Sequence, residues 1–334
     1  MTYSIDKAAG MDILFEDKQI TLSAGQTVLS ALLDHGYDIP NSCRAGLCQS
    51  CLMQAVDGQV PDDAQQGLKD TLKAQGYFLA CSCQPIGPMV VTLPAANSLR
   101  QTVSVLEHTL LNHDVVRLRM KAENDFGYRA GQYTTLWHPD NIGRSYSFAS
   151  TPQLDDYLEF HVRRVDGGQV SSWLFDSVKV GDSLQIQSAA GDSFYLPGKP
   201  EQRLILAATG TGLSPLIGIA RDALQQGHQG DIHLFHGATN MDGLYLHQDL
   251  LDMAQQHKQF HYHASVLDID NIHSNVSTAP VEKLVLTVAP NLAECKIHLC
   301  GAPDLVNSLK KKLFLSGASI SNIYTDPFIM TPVI

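Results

Sequence analysis

Apolar and polar positions alternate in short runs through the first ninety residues. "MDILFED" and "KQITLSA" read as the two strands of a hairpin. "TVLSALLDHG" changes to helical spacing, with Leu29, Leu32 and Leu33 on one face and Gly36 suited to the position just after a helix. "CLMQAVDGQV" and "MVVTL" return to the strand period, so residues 11–93 form a compact α+β unit. "PAANSLRQT" (94–102) reads as a linker. From about 100 to 197 strands dominate: "QTVSVLEHTLL", "VVRLRMKA", "GQYTTLWH", "RSYSFAS", "LEFHVRRV" and "DSLQIQSA". Turn residues separate them at short intervals, the pattern of a small antiparallel barrel.

The pattern changes again near residue 202. "RLILAAT" is a buried-strand run that enters "GTG" and then the helix "SPLIGIARDALQQG", with Ser214 expected as N-cap, Pro215 as the first helical residue and Gly227 at the end. The strands "DIHLFHGA", "FHYHASVL", "CKIHLCGA" and "ISNIYTD" then alternate with the helices "LYLHQDLLDMAQQH", "APVEKLVLTVAP" and "PDLVNSLKKKLFLSGA". Such alternation predicts a parallel sheet covered on both faces, with ligands at the carboxyl ends of its strands.

The length of 334 residues agrees with several domains, and no window approaches the roughly 18 uninterrupted apolar residues of a membrane helix. "MTYSIDKAAGMDILFED" has acids near its start and no apolar h-region, so no secretory signal is expected. A net charge of −11 argues against nucleic acid as a partner. The acidity is concentrated early: residues 1–95 hold five Lys or Arg against ten Asp or Glu, a net −5. An acidic segment of this kind either steers onto a basic protein partner or serves solubility. Seven cysteines, an odd number, fit a reducing cytoplasm in which thiols act as ligands or catalytic groups.

Three of those cysteines lie in "CRAGLCQSC". Cys43, Cys48 and Cys51 are separated by four and then two residues, and Cys81 follows after 29 more in "FLACSCQP". C-x4-C-x2-C…C is the plant-type spacing for a [2Fe–2S] cluster. A loop that wraps a cluster has to bring its backbone close, which Ala45, Gly46 and Ser50 permit. A zinc site more often carries two C-x2-C pairs, and a redox pair from Cys48 and Cys51 would leave Cys43 unexplained. Spacing alone does not choose between Cys81 and Cys83 as the fourth ligand. Residues 11–93 resemble a plant-type ferredoxin domain, and the loop resembles its form in bacterial oxygenase reductases. In that family the fourth ligand stands four residues before a proline, which implies Cys81, four before Pro85, and leaves Cys83 a spare thiol.

"GRSYSFASTP" offers a guanidinium at Arg144, a ring at Tyr146 and a hydroxyl at Ser147. "HVRRVDGGQVSSWL" follows, with Gly167 and Gly168 allowing close approach and Ser171 expected to cap a helix. Together they resemble the flavin domain of the ferredoxin–NADP reductase superfamily. The resemblance implies that Arg144, Tyr146, Ser147, Arg163, Gly168, Val170 and Ser171 hold the flavin, with Tyr146 and Ser147 at its isoalloxazine ring. The ferredoxin-first order of domains resembles the FAD-using branch.

"AATGTGLSPL" joins a strand to a helix N-terminus, where Gly210 and Gly212 clear space for a pyrophosphate. Pro215 stands where a Rossmann fingerprint has its third glycine, and the string instead resembles the G-T-G-x-S-P form of the same superfamily. That match implies nucleotide binding by Thr209, Gly210, Thr211, Gly212 and Pro215. "LCGAP" resembles the superfamily's second nucleotide motif and adds Cys300, Gly301 and Pro303, with Cys300 near the nicotinamide C4. The ending "IYTDPFIM" resembles the acid-x-Phe terminus that places Phe328 over the flavin. No Lys or Arg lies between His236 and Leu250 to receive a 2′-phosphate, so NADH is expected over NADPH.

The fold expected is therefore multidomain: a β-grasp ferredoxin (11–95), an antiparallel β-barrel for FAD (100–198) and an α/β parallel-sheet nucleotide domain (200–334). The order resembles NADH-dependent reductase components of bacterial oxygenases, which pass electrons singly from a [2Fe–2S] cluster to a protein acceptor. A reductase for a deoxysugar dehydratase and a zinc-stabilised, non-catalytic binding module are the alternatives. Eight of fourteen histidines fall between 228 and 273, and His261 and His263 alternate on one strand face. With no cysteine or carboxylate at ligand spacing nearby, they are expected to be solvated or hydrogen-bonded.

Overall fold

A computed structural model of the chain describes residues 11–41, 44–46, 49, 51–94, 100–268, 273–289 and 291–329. They fall into two units that divide at residues 98 and 99. In the first, β1 (Met11–Phe15) turns back into β2 (Lys18–Leu22) through Glu16 and Asp17, both in the left-handed region. Ile13, Phe15, Ile20 and Leu22 alternate inward and are buried by Val28, Leu29, Ala31 and Leu32 of α1 (Val28–Asp34). Thr27 caps this helix by accepting from the Ser30 N–H at 3.2 Å, and Gly36 follows it at φ +82. β3 (Leu52–Asp57), the short α2 (Asp70–Ala74), β4 (Tyr77–Leu79) and β5 (Met89–Thr92) complete the unit. The sheet order is β2-β1-β5-β3-β4, with β1 and β5 parallel, the mixed β-grasp arrangement expected.

The second unit begins with six strands: β6 (Gln101–Leu110), β7 (Val115–Ala122), β8 (Tyr133–Trp137), β9 (Gly143–Ser147), β10 (Leu158–Arg163) and β11 (Ser183–Ile186). Their order is β10-β7-β6-β11-β8-β9 with antiparallel neighbours, and a bridge between Phe148 and Phe160 joins the two edges into a barrel. Val103, Leu118, Phe148, Phe160 and Val162 fill it. Helix α3 (Gln169–Asp176) follows β10.

The remaining strands are β12 (Leu204–Thr209), β13 (Ile232–Ala238), β14 (Phe260–Val266), β15 (Val276–Ser277), β16 (Lys296–Gly301) and β17 (Ile323–Pro327). They form a parallel sheet ordered β15-β14-β13-β12-β16-β17. Helices α4 (Leu213–Gln225), α5 (His247–Gln256), α6 (Val281–Val288) and α7 (Pro303–Leu315) connect them. Apolar cores lie on both faces, one built around Leu206 and Leu216 and the other around Ile205 and Leu309. The order reverses between β12 and β16, so the carboxyl ends of those two strands open the crevice of a doubly wound sheet.

Two details differ from expectation. Helix α5 begins three residues into "LYLHQDLL", because Leu246 takes φ +59 and ends a preceding turn. Ser214 and Pro215 both lie inside α4, so Ser214 does not cap it and Pro215 is its third residue, since a single 3-10 turn, Gly210–Gly212, already leads into the helix.

Candidate functional site

The first unit holds two of the four expected cluster ligands in view. Cys51 starts the segment leading into β3 and is buried, and Cys81 is partly exposed in the turn after β4. The two thiols interact: burial pushes Cys51 up to about 11, the Cys81 backbone N–H opposing and the Cys81 side chain acting with burial. Cys83 points into the core, fully buried, and burial pushes its thiol up to about 12. Cys43 and Cys48 lie outside the described residues, as does Ser50. The loop backbone that is described turns tightly, with Arg44 at φ +50, Gly46 at +74 and Gln49 at +58. Gly46 stands at φ +74, which side-chain-bearing residues rarely adopt, and a Cβ there would come within 2.9 Å of Ser82 Oγ beside the Cys81 turn. A tightly curled loop facing paired thiols, with thiolate as donor type, fits a 2Fe–2S group.

The second unit has a cleft of about 1330 Å³ between the barrel and the carboxyl ends of β12, β13 and β16. That is larger than the ~300–1,000 Å³ of a typical single-ligand pocket. From the barrel, Arg144, Tyr146 and Ser147 of β9 line it, together with Arg163, Gly168, Val170 and Ser171. From the parallel sheet come Thr209, Gly210, Thr211, Gly301, Pro303 and Phe328. The guanidinium of Arg144 is exposed and, among the described residues, donates to its neighbour Gly143's carbonyl, at 2.8 Å. Arg163 donates to Asp114 at 2.7 Å, and its guanidinium lies where a Cβ on Gly210 would stand 3.2 Å away. The two nucleotide segments therefore share a cationic wall. Exposed guanidinium, the partly buried Tyr146 ring and a helix N-terminus beside glycines fit a flavin dinucleotide.

Gly212, Pro215 and Cys300 are not on the cleft surface. All three are buried. A Cβ on Gly212 would meet the Cys300 carbonyl at 2.5 Å, so this glycine lets α4 pack against β16. Pro215 packs among the buried residues of α4. Burial pushes the Cys300 thiol well above its ordinary value, Asp326 acting the same way. Ser171 does not cap α3: Gly168 holds that position, and the Ser171 hydroxyl donates to the Gly168 carbonyl at 3.4 Å while accepting from the Val165 N–H at 3.2 Å. It closes the glycine turn on itself.

Sequence reasoning did not foresee the contacts of three polar groups here. Asp326 lines the cleft and accepts a hydrogen bond from Ser147 at 3.0 Å. Its carboxyl is pushed up by burial, opposed by Ser147 and reinforced by Asp192. "IYTDPF" was the available signal, since it carries an acid two residues before Phe328. Ser214 Oγ donates to the Ser147 carbonyl at 3.0 Å and ties α4 to β9. His161, also on the cleft, binds Glu159 at 3.0 Å and the Tyr245 hydroxyl at 3.3 Å. Alternating strand residues gave no local sign of either contact.

Residues 13–85 match the 2Fe–2S iron–sulfur cluster binding domain family, 102–195 the oxidoreductase FAD-binding domain and 206–311 the oxidoreductase NAD-binding domain. The chain is 30% identical over 329 residues to the ferredoxin–NAD(P)+ reductase component of the naphthalene 1,2-dioxygenase system of Pseudomonas putida, spanning 95% of this chain and 98% of that protein. It is 31% identical over 316 residues to reductase component 1 of the terephthalate 1,2-dioxygenase of Comamonas sp, spanning 92% and 94%. A cytochrome P450 reductase of Amycolatopsis superposes with a TM-score of 0.65 at 29% identity, over 97% of this chain and 100% of that one. The chain thus belongs to the family of iron–sulfur flavoprotein reductases in which a 2Fe–2S domain precedes FAD-binding and NAD-binding domains, the family of those oxygenase-system reductase components.

Proposed function

We propose that this chain is an NADH-dependent reductase that delivers electrons one at a time through its iron–sulfur domain to a protein acceptor, the oxygenase component of a bacterial oxygenase system. One observation carries the reading: β9 of the barrel and the carboxyl ends of β12 and β16 line the same cleft. When bound, the flavin supplies the exchange between a two-electron hydride donor and a one-electron cluster. The chain's own residues bind and orient. Arg144 and the Gly168–Ser171 turn would take flavin phosphates, and Tyr146 and Ser147 the ring. Thr209, Gly210 and Thr211 would receive the nicotinamide dinucleotide at the 3-10 turn that joins β12 to α4, with Gly301 and Pro303 opposite. Phe328 would cover the reacting face, while Gly212, Pro215 and Cys300 shape the wall from beneath. Cys43, Cys48, Cys51 and Cys81 would hold the cluster; the pairing of Cys51 with Cys81, and the core position of Cys83, support that set. Domains at 11–95, 100–198 and 200–334 agree with this division of labour.

NADH is favoured because the cleft wall at the carboxyl end of β13 is Gly237, Ala238, Thr239 and Asn240, with no cation among them to meet a 2′-phosphate. Among the described residues no helix is long and apolar enough to cross a membrane, and Cys83, Cys295 and Cys300 are free thiols, which fits work in the cytoplasm. The net −5 of residues 1–95 supports a basic docking face on the acceptor, so its reduction should slow as ionic strength rises; a flat rate would count against that docking mode. The test of the function is composition together with turnover. Purified protein should contain iron, acid-labile sulfide and flavin, and should reduce cytochrome c faster with NADH than with NADPH. Zinc in place of iron, with no flavin, would overturn the reading, and equal rates would overturn the choice of nucleotide.

A further inference from the structure

Four polar side chains gather at the amino-terminal edge of the parallel sheet, away from the cleft. Strands β13 and β14 pair in parallel with His233 opposite His261 and Phe235 opposite His263. The pleat puts His233, Phe235, His261 and His263 on one face. The His233 and His261 rings stack with centroids 4.8 Å apart, and His263 stacks on Phe235 at 4.6 Å. Asp231, the residue before β13, accepts from or pairs with His261 Nε2 at 3.0 Å through Oδ1. Its other oxygen faces Arg203 at 3.9 Å. The carboxylate that local spacing around His261 did not reveal comes from the adjacent strand.

We propose that Asp231, His233 and His261 form a binding site for a divalent transition ion, Zn²⁺ by the chemistry of the donors. One ligand atom from each of the three lies within 4.8 Å of the others. A tetrahedral ion with bonds of ~2.0–2.1 Å needs its ligands roughly 3.3 Å apart, so small side-chain rotations close the set. Two imidazoles and a carboxylate are the borderline donors that suit Zn²⁺, and water completes the shell. His233 Nδ1 is already engaged by His263 Nε2 at 3.1 Å, which leaves Nε2 as the His233 ligand atom and makes His263 the partner that orients it. The Asp231 and His261 side chains are 48% and 39% exposed, so the ion has an entry path. The cofactor cleft uses the opposite, carboxyl ends of these strands, at Ala238 and Ser265. The ion therefore clasps β13 to β14 and takes no part in electron transfer.

Isothermal titration of the metal-loaded holoprotein, stripped of adventitious divalent ions by brief chelation, with zinc chloride tests this. The visible spectrum of the cofactors serves as the check that they stay in place. One saturable site is expected, with a rise in the thermal midpoint. His261→Gln and Asp231→Asn should abolish the site, and His263→Gln should weaken it about 10–100-fold. His35→Gln, at an exposed histidine of the first unit, should bind as the parent does. NADH oxidation with ferricyanide should be the same in all of them, which separates this site from the reductase reading. No saturable zinc binding by the parent, or parent-like binding by both His261→Gln and Asp231→Asn, would overturn the proposal.

Discussion

Ser147 Oγ donates to Asp326 Oδ2 at 3.0 Å, joining residues 179 positions apart. The bond links the end of β9 to β17 where the barrel meets the parallel sheet, and Asp326 sits opposite Cys300 in the strand register. Ser147→Ala should therefore slow reduction of the flavin by NADH about 10–100-fold while changing the nucleotide's KM little, because orientation is lost before binding is. The Ser147 bond is what pulls the Asp326 pKa down against burial and Asp192. Without it the acid limb of the rate profile should move to higher pH. Stopped-flow flavin reduction across pH reads both effects, and an unmoved limb would count against the coupling.

Gly212 touches the backbone of the neighbouring strand. A Cβ there would meet Cys300 C at 2.6 Å and Gly301 Cα at 2.7 Å, atoms that cannot turn aside. Gly212→Ala should cost about 1–3 kcal/mol of stability as α4 is pushed off β16. It should also raise the KM for NADH, since the same shift displaces Gly210 and Thr211. Chemical denaturation and steady-state kinetics check the pair.

The neighbours Cys81 and Cys83 should behave oppositely. Cys81→Ser should abolish the low-temperature EPR signal of the reduced cluster while the flavin remains. Cys83→Ser should keep the signal and lose about 1–3 kcal/mol, the cost of burying a hydroxyl at a fully buried site. Iron content and EPR of both variants separate these outcomes.

Two buried groups, His236 and Glu159, make stability depend on pH in acid. Burial pushes His236 down to about 3; His247 and His161 push the same way and a contact with Gly210 opposes. The Tyr245 ring packs edge-on against it at 5.7 Å. The unfolded chain takes up this proton near the ordinary value of 6.5 and the native one does not, so stability is full above 6.5 and falls as pH drops toward 3. Burial alone would raise Glu159, but His161 and Arg119 win and hold it at about 2, so its share is present above the ordinary 4.5 and is lost as pH falls toward 2. The thermal midpoint should decline from pH 6.5 and steepen below 4.5. His236→Leu should flatten the upper part of the curve, and a parent curve level from pH 7 to 5 would contradict this account.

The residues that announced themselves in the sequence act through local spacing. "CRAGLCQSC" spans nine consecutive residues, "GRSYS" is one strand and "GTG" one turn, so each motif is complete within a few residues. The period of apolar positions likewise made the three sheets legible. What escaped depends on pairing across long separations. Asp326 matters because β17 lies beside β16, and Ser214 because α4 crosses the end of β9. Pro215 matched a motif, yet its neighbour Gly212 makes the close contact and Pro215 is buried. Asp231 joined His261 only through the register of two parallel strands. No spacing rule within one strand reports a contact made by the next.

The central claim is a single electron path from NADH through flavin to a one-electron cluster, and a count of reducing equivalents tests it most directly. Anaerobic titration with NADH should end at about one and a half equivalents per chain, two electrons on the flavin and one on the cluster, with a rhombic EPR signal appearing as the visible spectrum bleaches. An end point at one equivalent, with the flavin reduced and no EPR signal from the iron, would contradict it.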